Sequence, residues 1–263
     1  MDKITAAVSS ADRSWQTVSL LAHIWVGHPA ATNVEGFSSL LRREGLDPWK
    51  SDDSLDLRVQ VRFWARRDDS REVRGTPNAP TAQSSATLDE IKAFRLEVLT
   101  KDDSSKPVLT VVRNPPKWWT YHFPSEVIYN NGDDTRSRAH AGWIASFLTP
   151  SEAARNCTLM ARGQGTVAGR PVWHVRAIPR DRTLPPPAVF DVWATPGVWS
   201  LDEFDVAVDR ERGTFLRVSA RGPSGPVRIG EVEQIVFDSA IDAALFTFDV
   251  PPGVRVVPSH RLV

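Results

Sequence analysis

Between Leu55 and Phe63, apolar and polar side chains alternate without a break. Leu55, Leu57, Val59, Val61 and Phe63 interleave with Asp56, Arg58, Gln60 and Arg62. A helix, repeating every 3.6 residues, would scatter this pattern around its circumference, whereas a strand sends successive side chains to opposite sides. The segment therefore reads as a strand with one dry face and one wet face. A strand buried on both faces, as in a parallel α/β sheet, is a continuous apolar run and does not carry alternating arginines.

The same period returns at Phe94, Leu96 and Val98 against Arg95 and Glu97, while Val108 to Val112 reads as a more buried strand ended by Pro115-Pro116. Trp118 to Phe123 and Val127 to Tyr129 look like a pair of strands, with a turn at Asn131-Gly132-Asp133-Asp134. In the C-terminal third, strands are expected at 158–166, 171–178, 203–209, 214–221, 227–237 and 254–257. Hairpin turns fall at Ala168-Gly169 and Glu211-Arg212-Gly213, and Gly163-Gln164-Gly165 suggests a bulge at a strand end.

Helices are expected at 12–26 (Trp15, Val18, Leu21 or Ala22, and Trp25 inward, capped by Asp12), at 34–44 after Asn33, and at 139–148. Ser151 to Arg155 adds a short turn of helix. The polar stretch 68–87 has too few apolar residues to offset its ordering entropy and reads as a mobile loop. Residues 1–263 are expected to be a single domain, mainly β with a few helices, and its N-terminal helical region covers about 10–45. The meander has too few strands for a closed sandwich, so the helices must cover its dry face.

Composition narrows the function. Lys and Arg number 32 against 32 Asp and Glu, so no global field draws the chain to nucleic acid or anionic lipid. The arginine series Arg58, Arg62, Arg66, Arg67, Arg71 and Arg74 is interrupted by Asp68, Asp69 and Glu72, and reads as a solvated strand face leading into a loop, so no nucleic-acid partner is expected. With one cysteine, Cys157, an intramolecular disulfide is impossible. The first residues lack the basic start and unbroken apolar run of a signal peptide, and no stretch reaches the ~20 apolar residues of a membrane span. A cytoplasmic location is the expectation. Ten Trp and 11 Phe against two Tyr mean large aromatic surfaces with few hydroxyls, suited either to a packed core or to a cavity for an apolar ligand.

Catalytic motifs are not legible. His23 and His28 are five apart, off the i, i+4 spacing of a helical zinc pair, and the chain has neither a His-Glu-x-x-His motif nor a Gly-x-Ser-x-Gly elbow. His174, between Trp173 and Val175, reads as a solvent-side strand histidine. Asp205 and Asp209 should share a solvated face opposite Phe204, Val206 and Val208, facing Arg217 and Arg221 across a hairpin. An inward-pointing carboxylate in that set would favour acid–base chemistry. No cofactor or metal is expected.

Three C-terminal motifs, in this order, resemble the LolA/LolB-like superfamily of lipoprotein carriers, RseB/MucB-type relatives included. They are Thr166 to Val175 around Gly169-Arg170-Pro171 and Trp173, Phe204 to Asp209 with Gly213 to Arg217, and Glu231 to Asp238 with Asp242 to Gly253. The resemblance covers about 90–256 and is that of a signal-less, actinobacterial member. It implies a single highly curved antiparallel sheet, an open half-barrel covered on its concave face by helices. Relatives use this cavity for acyl chains, or sense lipoproteins and envelope stress.

The functional expectation is non-catalytic binding of a hydrophobic small molecule or lipid. The ligand would be desolvated against Leu57, Val59, Val61, Phe63, Phe94, Leu96 and Val98, with Trp118, Trp119 and Trp173 alongside. The alternatives are a regulatory module that presents the same groove to a protein partner, and an enzyme of lyase or cyclase type acting on a hydrophobic substrate.

Overall fold

The structure is a computed structural model that describes residues 2–26, 57–67, 91–100, 106–115, 117–122, 127–130, 144–181, 203–222 and 225–258. The helix expected at 34–44, the loop at 68–87 and the turn at 131–134 lie outside the described residues.

The first element is α1, Lys3–Ser10. Asp2 caps it, its carboxylate accepting the Thr5 N–H at 2.7 Å, and Ile4 and Val8, four apart, turn inward. A 3-10 turn, Ala11–Arg13, follows. The helix expected over 12–26 is corrected: Thr17–Val26 is a strand, β1. Val18, Leu20, Ala22 and Ile24 are buried, while Ser19, Leu21, His23 and Trp25 between them are not. That is period two, and the β-branched Thr17, Val18, Ile24 and Val26 favour it. Asp12 does not cap a helix of its own; its carboxylate accepts the Ser151 N–H at 3.4 Å.

The remaining strands are β2 (Leu57–Arg67), β3 (Ile91–Thr100), β4 (Pro107–Asn114), β5 (Lys117–His122), β6 (Val127–Asn130), β7 (Cys157–Val167), β8 (Arg170–Pro179), β9 (Phe204–Asp209), β10 (Phe215–Gly222), β11 (Gly225–Phe237) and β12 (Arg255–Pro258). They form one open 12-stranded sheet in the order β12-β6-β5-β4-β3-β2-β1-β11-β10-β9-β8-β7. Every pairing is antiparallel except β12 with β6. The β7–β8 turn uses Ala168 at φ 50° and Gly169 at φ 72°, the conformation a two-residue hairpin requires. The bulge expected near Gly163 lies inside β7, where Arg162 is extra between the pairs Ala161–Val175 and Gly163–His174.

Register fixes the faces. Leu20 stands beside Phe63, Phe63 beside Leu96, and Leu96 beside Val111. All four are buried on the side that holds the core, here the inner face. The helical residues 144–148 and α2, Ser151–Asn156, supply Ile144, Phe147, Leu148, Ala153 and Ala154 to the same core. The Trp15 indole N–H donates to the Leu148 carbonyl at 3.2 Å and ties β1's entry to this helical layer. The layout is that of a curved half-barrel: an open sheet with helical residues packed into its apolar core.

Beyond β11 the chain crosses the outer face. Asp238, at φ 56°, turns it. A 3-10 turn, Ala243–Phe246, buries Phe246 beneath the Arg66 guanidinium, 5.4 Å from the ring centre. Phe248 then meets Trp119 and Tyr121 at 6.1 and 5.8 Å between ring centres, before β12 joins the edge at β6.

Candidate functional site

The apolar face of β2 and β3 is continuous. Val59, Val61, Phe63, Phe94, Leu96 and Val98 are each at most 6% exposed, and register sets Val61 beside Val98 and Phe63 beside Leu96. The strip continues into β4, where Leu109 and Val111 lie opposite Val98 and Leu96. Its aromatic end is built by contact: the Phe63 and Phe94 rings stack at 5.8 Å, and Phe94 meets Trp118 edge-on at 5.3 Å and 86°.

Trp118 is 4% exposed, yet its indole N–H has no hydrogen-bond partner among the described residues. A buried donor left unpaired forfeits on the order of 1–3 kcal/mol. Beside it stands a charge. Arg113 lies opposite both Phe94 and Trp118 in the register, its guanidinium is 5.7 Å from the centre of the Trp118 ring, and it donates to the Ile91 carbonyl at 3.2 Å. One end of the strip is therefore polar while the remainder is hydrocarbon.

Of the residues expected to line the site, the structure brings together Val59, Val61, Phe63, Phe94, Leu96, Val98 and Trp118. Leu57 belongs to β2, but its side chain is outside the described residues. Trp119 points to the outer face and packs on Phe248. Trp173, half-buried on β8, lines a separate cleft of about 430 Å³ with Asp2, Lys3, Ile4 and Ala161 to Gln164. Sequence reasoning missed Arg113, Leu109 and Val111. The run Val108 to Val112 is buried on both sides, so its composition carries no parity to show which side chains face inward.

The polar clusters are less suited to chemistry. A groove of about 240 Å³ on the outer face is lined by Arg162, His174, Asp205, Ala207, Arg217 and Ser219. His174 lies on this outer face, half-buried against the backbone of Gly165, where a Cβ would come within 2.4 Å of its Nε2. Arg217 faces Ala207 and pairs with Glu231 at 3.3 Å, whereas Asp205 faces Ser219. Asp209 is buried, not solvated. Arg170 binds it, and its Oδ1 accepts the N–H groups of Glu211 and Arg212 at 2.8 and 2.9 Å, so this buried carboxylate is committed to a turn. Burial pushes the Cys157 thiol up to about 12, against the lowering effect of Arg180, and leaves it a poor nucleophile. Among the described residues no three His, Cys, Asp or Glu gather to hold a metal, and no helix is long and apolar enough to cross a membrane.

No protein-family model matches the chain, and no curated protein sequence is significantly similar. Solved structures do resemble it. The complex of Pseudomonas aeruginosa MucA/MucB matches with a TM-score of 0.48 and 14% identity over 94% of this chain. The lipoprotein LppX of Mycobacterium tuberculosis gives 0.45 and 10%, covering 91% of this chain and 97% of that one. The LolA superfamily protein NE2245 of Nitrosomonas europaea gives 0.32 and 6%, covering 94% and 99%. The chain spans 60% of the matched chain in the MucA/MucB complex.

Proposed function

We propose that the chain is a binding module that holds a hydrophobic small molecule or acyl chain against the inner face of β2 to β5, without transforming it. The observation that carries this reading is the buried apolar strip of Val59, Val61, Phe63, Phe94, Leu96 and Val98, continued by Leu109 and Val111 on a single open sheet. The side chains of the strip are buried, so a ligand must displace the contacts that bury them. Burying the ligand contributes about 25 cal/mol per Å² of apolar area before ordering costs. The committed carboxylate of Asp209 and the inert thiol of Cys157 favour binding over catalysis. We further place this binding in the cytoplasm, which cell fractionation tests.

The test of binding is a titration of folded protein at neutral pH with Nile red or a fatty acid, followed by tryptophan emission with a light-scattering control. Saturation near one ligand per chain is the expected result. If several chemically distinct apolar ligands give no saturable change, the strip is plain core or a surface for a protein segment, and the proposal falls.

A further inference from the structure

We infer that the free edge of β7 takes an extended acidic segment of another protein as an added strand, and that the cleft between β7 and α1 receives one of its apolar side chains. This edge is remote in the sheet order from β2 to β5, so the inference stands apart from the binding reading above.

The backbone of β7 supplies the first observation. β7 ends the sheet and pairs only with β8 among the described residues. Val167 and Arg170 close the two-residue turn as a hydrogen-bonded pair, and bonded and non-bonded pairs alternate from there. Pro171, opposite Thr166, has no N–H, and its carbonyl accepts the Arg210 N–H on the β9 side at 3.0 Å. The N–H and C=O of Thr166, and of Gln164 two residues before it, therefore point away from β8 to the open edge. Side chains leave this edge accessible: Met160 to Gln164 are all exposed, and Gly163 and Gly165 have none.

The second observation is the cleft. About 430 Å³ in volume, it opens beside this edge over an apolar floor of Ile4, Ala161 and half-buried Trp173. Strand addition draws affinity from main-chain bonds and selectivity from pockets for alternate side chains, and β7 offers both.

The third is charge. Lys3 and Arg162 line the cleft without an ion-pair partner among the described residues. Arg210, bonded to Gln164 at 3.1 Å, holds its guanidinium 5.7 Å from the centre of the Trp173 ring. The one acid lining the cleft, Asp2, is engaged by the Thr5 N–H. Three cations around one capping carboxylate fit an acidic partner. They disfavour a second copy of β7, whose one charged residue is Arg162, because pairing two such edges sets like charges together. The bulge at Arg162 interrupts the ladder and keeps the paired stretch short.

The probe is a fluorescein-labelled peptide, Glu-Val-Glu-Phe-Glu-Val-Glu, titrated with the full chain and followed by anisotropy. It should bind saturably near one per chain, and Lys-Val-Lys-Phe-Lys-Val-Lys should bind on the order of ten-fold more weakly. Of two forms of the acidic peptide N-methylated on alternate amides, one should lose binding and the other keep it, since only one set of N–H groups faces β7. Equal behaviour of the two forms overturns strand addition. Thr166→Pro removes an edge N–H and leaves the β8 ladder intact, so it should weaken the acidic peptide on the order of ten-fold. Should that variant fail to fold, the methylated pair decides on the wild-type protein. Arg162→Glu should narrow or reverse the preference for the acidic peptide; an unchanged preference overturns the acidic class. Absence of saturable binding by the acidic peptide overturns the inference, as does a dimer in sedimentation that Thr166→Pro dissociates, which gives the edge to a second copy.

Discussion

Arg170 and Asp209 meet across the β8–β9 pair, the guanidinium Nε donating to one carboxylate oxygen while the other accepts two backbone N–H groups of the following turn. Asp209 is fully buried, and the Arg170 guanidinium is also stacked over Phe237, 5.2 Å from the ring centre. Removing the acid strands a partly buried cation and unpairs the turn. Asp209→Ala should lower unfolding stability by roughly 3 kcal/mol or more in urea titrations. A loss under about 1 kcal/mol would place the pair in the class of ordinary surface bridges.

Val61 and Arg62 test the assignment of faces. Val61 is 2% exposed on the inner face, whereas the Arg62 side chain is 39% exposed and only 3.8 Å from Glu97. Val61→Asp buries an unpaired charge and should unfold the protein or lower its Tm by ten degrees or more, on the order expected for several kcal/mol. Arg62→Gln should change stability by less than about 1 kcal/mol. Equal melting temperatures for the two variants would contradict the register.

Two glycines at nearly the same φ separate strain from collision. At Gly169, φ 72°, an added Cβ meets nothing within 4 Å; at Gly213, φ 73°, it would lie 2.0 Å from the Ala7 carbonyl oxygen of α1. Gly169→Ala should therefore cost only the left-handed penalty of about 1–2 kcal/mol. Gly213→Ala adds displacement of α1 and should cost at least about 2 kcal/mol more. Chemical denaturation of both variants measures the difference.

Much of this architecture was legible. The C-terminal strands announced themselves through alternation and glycine turns, because a hairpin encodes its register locally. β1 was not read correctly: Trp15, Val18, Leu21 and Trp25 satisfy a helical spacing while Val18, Leu20, Ala22 and Ile24 satisfy a strand's, and only pairing with β2 and β11 decides between them. The candidate site shows the same limit. Trp118 and Trp119 are chemically equal in the sequence, yet one joins the core beside Phe94 and the other packs outside on Phe248. Burial of Asp209 depends on an arginine 39 residues away, a distance no local pattern reports.

Acid should weaken the clamp at the end of β11. Burial raises the pKa of Asp238, but the Gln16 N–H, the charge of Arg212 and the Thr17 N–H together outweigh it and hold the carboxyl below its ordinary value. A depressed folded-state pKa stabilises above the unfolded value, and that contribution is lost as the pH falls through the folded one. Asp238→Asn should therefore be less stable than wild type near neutrality. The gap in Tm should shrink as the pH drops below about 3.9. A gap that persists unchanged into strong acid would mean the charge of Asp238 is not what holds the clamp.

Cys157 offers a readout of opening. With its thiol pushed up to about 12 by burial, it should resist DTNB at pH 8 in the native state and react at once in denaturant. Fast labelling of native protein would show that the β7 end opens freely.

The place of β1, between β2 and β11, also governs how the protein is made. His23 on β1 and Glu233 on β11 are 210 residues apart, and the centre of the sheet cannot form until both have left the ribosome. Until then the β1–β6 sheet and the β7–β10 sheet are separate pieces, each with an unsatisfied edge, and β11 is the clasp that joins them. Such non-local closure makes for slow folding and prolonged exposure of β1's apolar side. During synthesis the edge of β1 therefore stays open until β11 is available to pair with it.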